Sequence, residues 1–531
     1  MEREALTSYR PTKPEIAVFV SGITSMGLEI LAVRIVAPQF GSHIYTVGGI
    51  LTVFLAALSL GYWQGGKRAR LATNREMSWI MLATAVYVAI VVYASDLLLA
   101  YTSTLALPPR YASLPAVIAL FGPPTYLLGF ISPYAAELSQ KRGIGEASGH
   151  VYALGTIGSI LGSAATTFVL IPALSIGEIG VLFGLTLVAT AVALTLPSPP
   201  RRPTIASVVV VLLLVGAAGG GPVAFDHRGD VVYESQTSYQ HLEVVDDGDT
   251  RTMYLDGARH SAMDLEDPDR HVFAYTRYFH LPMLMTDDPD DVDRVLFIGG
   301  GGYTGPKDFE ERYDATVDVV EVDPEVTETA ETYFGLDRSD DDLNVHTGDG
   351  RQFLRNTDET YDVIILDAYK QDQVPFHLTT EEFMHLASDR LSDDGVLLAN
   401  VISAPSGSGS EFYRAEYETM EQAFPEVYSF RTSEKSSVQN VELVATNDDE
   451  ELSRADLERR NENRELGVDL SDEIDHYMAD PETDDVPVLR DDRAPVDSLL
   501  DPMMGQRYVV EETNESEPAT AEATSPRVAR S

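Results

Sequence analysis

The sequence predicts a multispan α-helical membrane domain followed by an α/β domain with a mostly parallel sheet, a small β subdomain opening the second part. Three observations carry this. Long apolar segments are confined to the first 222 residues, strand–helix alternation begins at Asp293, and charge is split between the two parts. Residues 1–222 hold 13 Lys+Arg against 9 Asp+Glu, whereas the remainder holds 25 against 74, about +4 and −49. The expected divisions are 1–222, the membrane domain; 223–260, the β subdomain; 261–448, the α/β domain; 449–510, an acidic closing segment; and 511–531, a disordered tail.

A crossing helix needs about 20 mostly apolar residues. Seven segments qualify: Ile16–Pro38, Ile44–Trp63, Trp79–Tyr101, Leu114–Leu138, Gly149–Leu170, Ile176–Leu196 and the shorter Ile205–Gly219. Small residues from Gly155 to Gly162 suit close helix packing, and Pro123–Pro124 should kink the fourth span. Basic residues lie before span one (Arg3, Arg10, Lys13), after span two (Lys67, Arg68, Arg70, Arg75), after span four (Lys141, Arg142) and after span six (Arg201, Arg202). The positive-inside rule therefore puts the N-terminus in the cytoplasm of a multi-pass membrane protein. Seven crossings would leave the α/β domain outside, whereas an intracellular cofactor would require it inside. Glu29 and Arg34 within span one should face the bundle or each other.

Only 6 of the 38 basic residues are Lys, and this surplus of carboxylates resembles adaptation to high salt, a halophilic composition in which screening removes self-repulsion. The acidity excludes nucleic acid as a partner. With no Cys, disulfides, thiolate nucleophiles and Cys-ligated metals are excluded.

Val231–Asp256 alternates apolar and polar residues around the turn Asp246–Asp249, and Arg270–Met285 reads as a helix. Strands follow at Val295–Ile298, Val317–Val322, Asn344–His346, Tyr361–Leu366 and Gly395–Val401, the last preceded by a helix over Thr380–Leu391. In such sheets ligands bind beyond the carboxyl ends of the strands.

Those ends carry the candidate chemistry. Gly299, Gly300, Gly301 and Gly302 let backbone approach a ligand. Gly300-x-Gly302-x-x-Gly305 matches the dinucleotide fingerprint, with Glu321 and Asp323 about 20 residues on. Methyltransferase-type Rossmann-like sheets share both features. Glu321 could accept two ribose hydroxyls, Asp349 in Gly348–Asp349–Gly350 an adenine amine, and Asp367 closes the fourth strand. The histidines, His377 among them, show no metal-ligand spacing, so no metal is expected.

Tyr239–Gln240, Tyr254–Gly257, Ile298–Gly301, Val320–Pro324, Gly348–Gly350 and Asp362–Asp367 occur in the order and spacing of the spermidine synthase (polyamine aminopropyltransferase) family, which this chain resembles over about Val231–Asn400. As a whole it resembles the membrane-anchored fusion members, and Val374–Thr379 resembles that subgroup. The resemblance implies a transferase of polyamine biosynthesis that moves an aminopropyl group from decarboxylated S-adenosylmethionine to an amine. It implies a nucleoside held by Gln240, Gly299, Gly300, Gly301, Glu321, Asp323, Asp349 and Gly350, with Asp367 nearest the attacking amine. A small amine and the lipid bilayer are the expected partners, and a homodimer is one expected assembly. Two positions depart from the pattern: Gly302 and Lys370 stand where the family has acids. Two other readings therefore stay open, an S-adenosylmethionine-dependent methyltransferase and a transporter or sensor with a non-catalytic adenosyl-binding domain.

Overall fold

A computed structural model describes residues 11–41, 43–105, 107–139, 143–219, 229–370, 373–503 and 506–513. Arg3, Arg10, Lys141, Arg142, most of the 222–229 linker and tail residues 514–531 lie outside the described residues. The chain forms two compact units: residues 1–228 with 234–242 and 255–257, and 229–233, 243–254 and 258–531.

The first unit is built on helices α1 (Lys13–Phe40), α2 (Ile44–Arg68), α3 (Asn74–Ser103), α4 (Leu114–Leu128), α5 (Ile131–Glu137), α6 (Ile144–Ala165), α7 (Ile176–Thr195) and α8 (Arg201–Gly219). α1 packs on α6, α2 on α4, and α3 on α7. Small residues allow the first of these contacts. A Cβ on Gly158 would stand 2.3 Å from the Phe19 carbonyl, and one on Gly162 2.4 Å from that of Ile23. Among the described residues six helical segments, from Lys13–Phe40 to Ile176–Thr195, are long and apolar enough to cross a membrane. The seventh expected segment forms the 19-residue α8 against α3 and α7. Outward faces carry large apolar side chains such as Leu55, Leu97, Phe168 and Leu212, a surface suited to lipid. The Pro pair lies inside α4, and the interruption falls later, at Gly129–Phe130, before α5. Within this unit Arg34 donates to the carbonyls of Thr237 and Ser238.

β1 (Asp230–Gln236), β2 (His241–Asp247), β3 (Thr250–Leu255) and β4 (Ala258–Asp264) form one sheet. β4 carries the small sheet four residues beyond the expected boundary at 260. The expected helix over 270–285 is instead a 3-10 helix, Ala274–His280, and one turn, Pro282–Met285. Pro282 has no N–H to continue the ladder.

The larger sheet contains β5 (Arg294–Ile298), β6 (Thr316–Glu321), β7 (Leu343–Thr347), β8 (Tyr361–Leu366), β9 (Leu391–Ser403), β10 (Glu426–Arg431), β11 (Gln439–Thr446) and β12 (Tyr477–Met478). Their order is β12-β10-β11-β9-β8-β5-β6-β7. β5 to β9 pair in parallel, while β11 runs antiparallel to β9 and to β10. Numbered from β5, this is the 3-2-1-4-5-7-6 order of a Rossmann-like methyltransferase-type sheet, extended by β12. The order switches direction between β5 and β8, where such sheets bind ligands. Helices α9 (Thr304–Arg312), α10 (Pro324–Tyr333), α11 (Gly350–Asn356), α12 (Glu381–Ser388) and α13 (Glu411–Met420) connect the strands.

Chain beyond β11 closes over the domain. Arg351, buried in α11, makes a two-pronged contact with Asp491 at 2.6 and 2.7 Å, and the Thr380 hydroxyl donates to the same carboxylate. The first residues of the expected disordered tail are ordered: Glu511 accepts from the Ala274 amide, and Thr513 donates to Val272. Removing Asp491 would strand a buried guanidinium, so Asp491→Ala should cost about 2 kcal/mol, below the usual range for a buried pair because the Asp491 side chain is 43% exposed. Arg351 holds the Asp491 carboxyl below its ordinary value of 3.8. The stabilisation is thus complete above that value and lost as pH falls through the lower folded one. Thermal unfolding of the α/β domain at pH 7 and at pH 3 should show a smaller advantage of wild type over Asp491→Ala at the lower pH.

Candidate active site

β5 ends in a glycine turn because its path admits little else. Gly299 has φ +102°, and a Cβ there would stand 2.2 Å from the carbonyl of Asp367 at the end of β8. Tyr303, with φ 58°, precedes α9, and its hydroxyl meets that of Thr327 at 2.8 Å. β6, β7 and β8 each end in, or within two residues of, an acid at this same edge of the sheet.

Glu321 is the last residue of β6 and is buried. Its carboxylate accepts from the amides of Gly300 at 2.9 Å and Asp323 at 2.8 Å. Burial pushes its acidity constant up, against the opposing pull of the Asp323, Gly300 and Gly301 amides. Asp323, fully buried, caps α10 by accepting from the Glu325 amide. Asp349 caps α11 through Oδ1, and its Oδ2 lies 2.7 Å from His377 Nε2. Gly350 follows with no room for a side chain, since a Cβ would meet Ile298 at 2.4 Å. Gln240 is buried, with its amide bonded to Thr237 Oγ1, and belongs to the helical unit.

Asp367 follows β8, half-buried. Burial pushes its carboxyl up to about 6, opposed by a hydrogen bond from Asn400 Nδ2 at 2.8 Å. Asn400 in turn accepts from Asn440 Nδ2 at 2.7 Å, and Asn440 accepts from the Tyr508 hydroxyl at 2.7 Å. This chain of donors aims an amide N–H at Asp367.

A small cleft opens over the turn, lined by Gly299, Gly300, Asp367, Ser261, Phe273 and Tyr275 among others. His260 stands over Gly301; burial first, and then nearby Lys370, push its imidazole down to about 4, so it is neutral at pH 7. The Gly302 amide donates to Ser261 Oγ at 2.8 Å, and a Cβ on Gly302 would stand 2.9 Å from that of Ser261. Ser261 thus occupies the space of an acid at 302.

The structure therefore brings Gly299–Gly301, Glu321, Asp349, Gly350 and Asp367 to one strand-end edge. Sequence reasoning missed Asn400, Asn440, Tyr275 and Tyr508; His377, which its position after the Asp367 loop allowed near the pocket, pairs with Asp349. The Val374–Thr379 motif was the available signal for His377. One grouping was invisible in spacing: His271 and His280 Nε2 lie 3.5 and 3.0 Å from Asp308 Oδ2. Arg312 bonds both oxygens of that carboxylate and supplies the positive charge there.

The Spermine/spermidine synthase domain family matches residues 272–432. The chain is 33% identical over 215 residues to a polyamine aminopropyltransferase of Vibrio vulnificus, covering 39% of this chain and 69% of that one. It is 30% identical over 266 residues to one of Thermococcus kodakarensis, covering 47% and 84%. A probable polyamine aminopropyl transferase of Bifidobacterium longum is 26% identical, covering 51% and 62%. Among solved structures, a probable spermidine synthase from Corynebacterium glutamicum superposes with a TM-score of 0.39 at 20% identity, over 44% of this chain and 87% of that one. The spermidine synthase from Thermotoga maritima gives 0.35 at 22%, over 41% and 74%. With a relative one-third identical over more than two thirds of its length, this chain belongs to the polyamine aminopropyltransferase family, a family of enzymes.

Proposed function

We propose that the α/β domain transfers an aminopropyl group from decarboxylated S-adenosylmethionine to an amine acceptor. The observation that carries this is Asp367, a half-buried carboxylate pushed up to about 6 that lines the cleft beside the Gly299–Gly300 turn. An attacking amine must shed a proton as it forms its bond to carbon. A base that is ionised at pH 7, yet more basic than an ordinary carboxylate, suits that task. The new C–N bond forms as the S–C bond breaks, the electron pair stays on sulfur, and neutral 5′-methylthioadenosine leaves. Asp367 takes the proton and returns it to water.

Glu321 is the ribose ligand in this reading, because a carboxylate with about four lone-pair sites still has one to offer beyond the Gly300, Gly301 and Asp323 amides that meet it. Asp349 meets the adenine amine with His377 beside it. Asp323 and the glycines shape the turn. Holding donor and acceptor in line supplies most of the acceleration. The departures at Gly302 and Lys370 favour one competing reading, methyl transfer from S-adenosylmethionine, whose product is S-adenosylhomocysteine.

The helical unit is proposed to span the bilayer, with the α/β domain on the cytoplasmic side, where the donor is. Because the chain has no Cys, a single Ser339→Cys on the exposed surface should react with a membrane-impermeant maleimide only after cells are opened. Labelling of intact cells would place the domain outside.

Product analysis at high salt with both forms of the nucleoside should show 5′-methylthioadenosine; S-adenosylhomocysteine alone would refute aminopropyl transfer. Asp367→Asn should lower turnover about 10²–10⁴-fold while sparing nucleoside affinity in calorimetry. The wild-type rate should fall as pH drops below about 6, and an acid limb preserved in a slow Asp367→Asn enzyme would assign the titration elsewhere. Glu321→Ala should weaken nucleoside binding at least tenfold. Gly302→Asp should not improve activity but should destabilise the domain by about 1–3 kcal/mol, read as a lower unfolding midpoint, because Ser261 fills the space.

A further inference from the structure

The chain leaving β8 begins at Asp367 and reaches the 3-10 turn Phe376–Leu378, and a single hydroxyl ties these two places together. Tyr369 is buried. Its hydroxyl oxygen lies 3.0 Å from the Leu378 carbonyl and 2.9 Å from Glu416 Oε1 on α13. A phenol has one proton, so it can donate to one of these two acceptors and not to both. An anionic Glu416 would draw that proton and leave the Leu378 carbonyl unmatched.

Glu416 is fully buried, and its Oε2 has no hydrogen-bond partner among the described residues. Burial raises its acidity constant well above the ordinary carboxylate value, against the pull of the Tyr369 hydrogen bond. A neutral carboxylic acid therefore stands there. Its proton goes to the Tyr369 oxygen, and the phenolic proton is free for Leu378. Acid, phenol and carbonyl then form one relay with a single direction. The Phe412 ring, 6.1 Å from that of Tyr369 between centroids, packs the phenol from the same helix.

The relay joins two parts of the strand-end edge. Asp367 stands two residues before Tyr369. His377, next to Leu378, meets Asp349 at 2.7 Å, and its carbonyl accepts from Arg351 at 2.9 Å. Resting on the proposed aminopropyl transfer, we propose that Tyr369 is a positioning residue which, with the Glu416 acid behind it, holds Asp367 in fixed relation to the Asp349–His377 pair. Neither Tyr369 nor Glu416 touches the substrates. What they secure is alignment: the base stays in place relative to the nucleoside whose sulfonium carbon the amine attacks.

The test uses the full-length chain in detergent, with decarboxylated S-adenosylmethionine and a set of aliphatic amines for turnover. Calorimetry with 5′-methylthioadenosine reads the nucleoside side. Tyr369→Phe cuts the tether and strands the buried acid, so it should lower kcat at least tenfold and also lower the unfolding midpoint. Adding Glu416→Leu removes the stranded group, and the double variant should regain the midpoint without regaining turnover. A merely structural pair would regain both together. Glu416→Gln, whose amide N–H can take over from the acid O–H, should keep kcat within threefold of wild type. Turnover in Tyr369→Phe within twofold of wild type overturns the assignment, as does recovered turnover in the double variant. A tenfold loss in Glu416→Gln overturns it too, by showing that the carboxyl acts as an anion. Wild type that forms no 5′-methylthioadenosine with any of the amines refutes aminopropyl transfer instead. Nucleoside affinity then decides the tether: weakened at least threefold in Tyr369→Phe supports it, and unchanged overturns it.

Discussion

One hydrogen bond, from Asn400 Nδ2 to Asp367, opposes the burial that pushes this strand-end carboxyl up. A carboxylate taken from water needs donors, and among the described residues this is the side-chain donor Asp367 has. The amide could face either way, since its oxygen and nitrogen have the same shape. Its direction is decided three steps back: Tyr508 donates to Asn440 Oδ1, so Asn440 Nδ2 points to Asn400 Oδ1, and Asn400 presents N–H to Asp367. Tyr508 lies on the closing segment, whose amide at Val509 bonds the Val438 carbonyl beside β11. The acidic chain after β11 therefore orients the amide that meets Asp367 as well as covering the domain.

Glu321 shows what a different supply of donors does to the same chemical group. Burial raises both acids, but Glu321 is met by the amides of Gly300, Gly301 and Asp323. Those amides hold the anion and fix its direction. Asp367 has one side-chain donor among the described residues. Two carboxylates at the ends of the strands that flank β5 thus differ in the donors that meet them. The same logic explains Asp349, whose two oxygens are divided between capping α11 and meeting His377.

The acids at the strand ends were legible in the sequence because local rules place them: a buried apolar run stops, and a glycine or acid follows at the point where backbone turns out of the sheet. The order of β5 to β9 was legible for the same reason. What lay hidden came through distant pairings. Asn400 gains meaning only beside Asn440, and Asn440 only beside Tyr508, 68 residues further on. β10 and β11 escaped notice because Gln439, Asn440 and Glu442 break the apolar run that marks a buried strand, although every residue of β11 is buried. The helix expected over 270–285 failed on Pro282, whose missing N–H was visible in the sequence but outweighed by the apolar spacing.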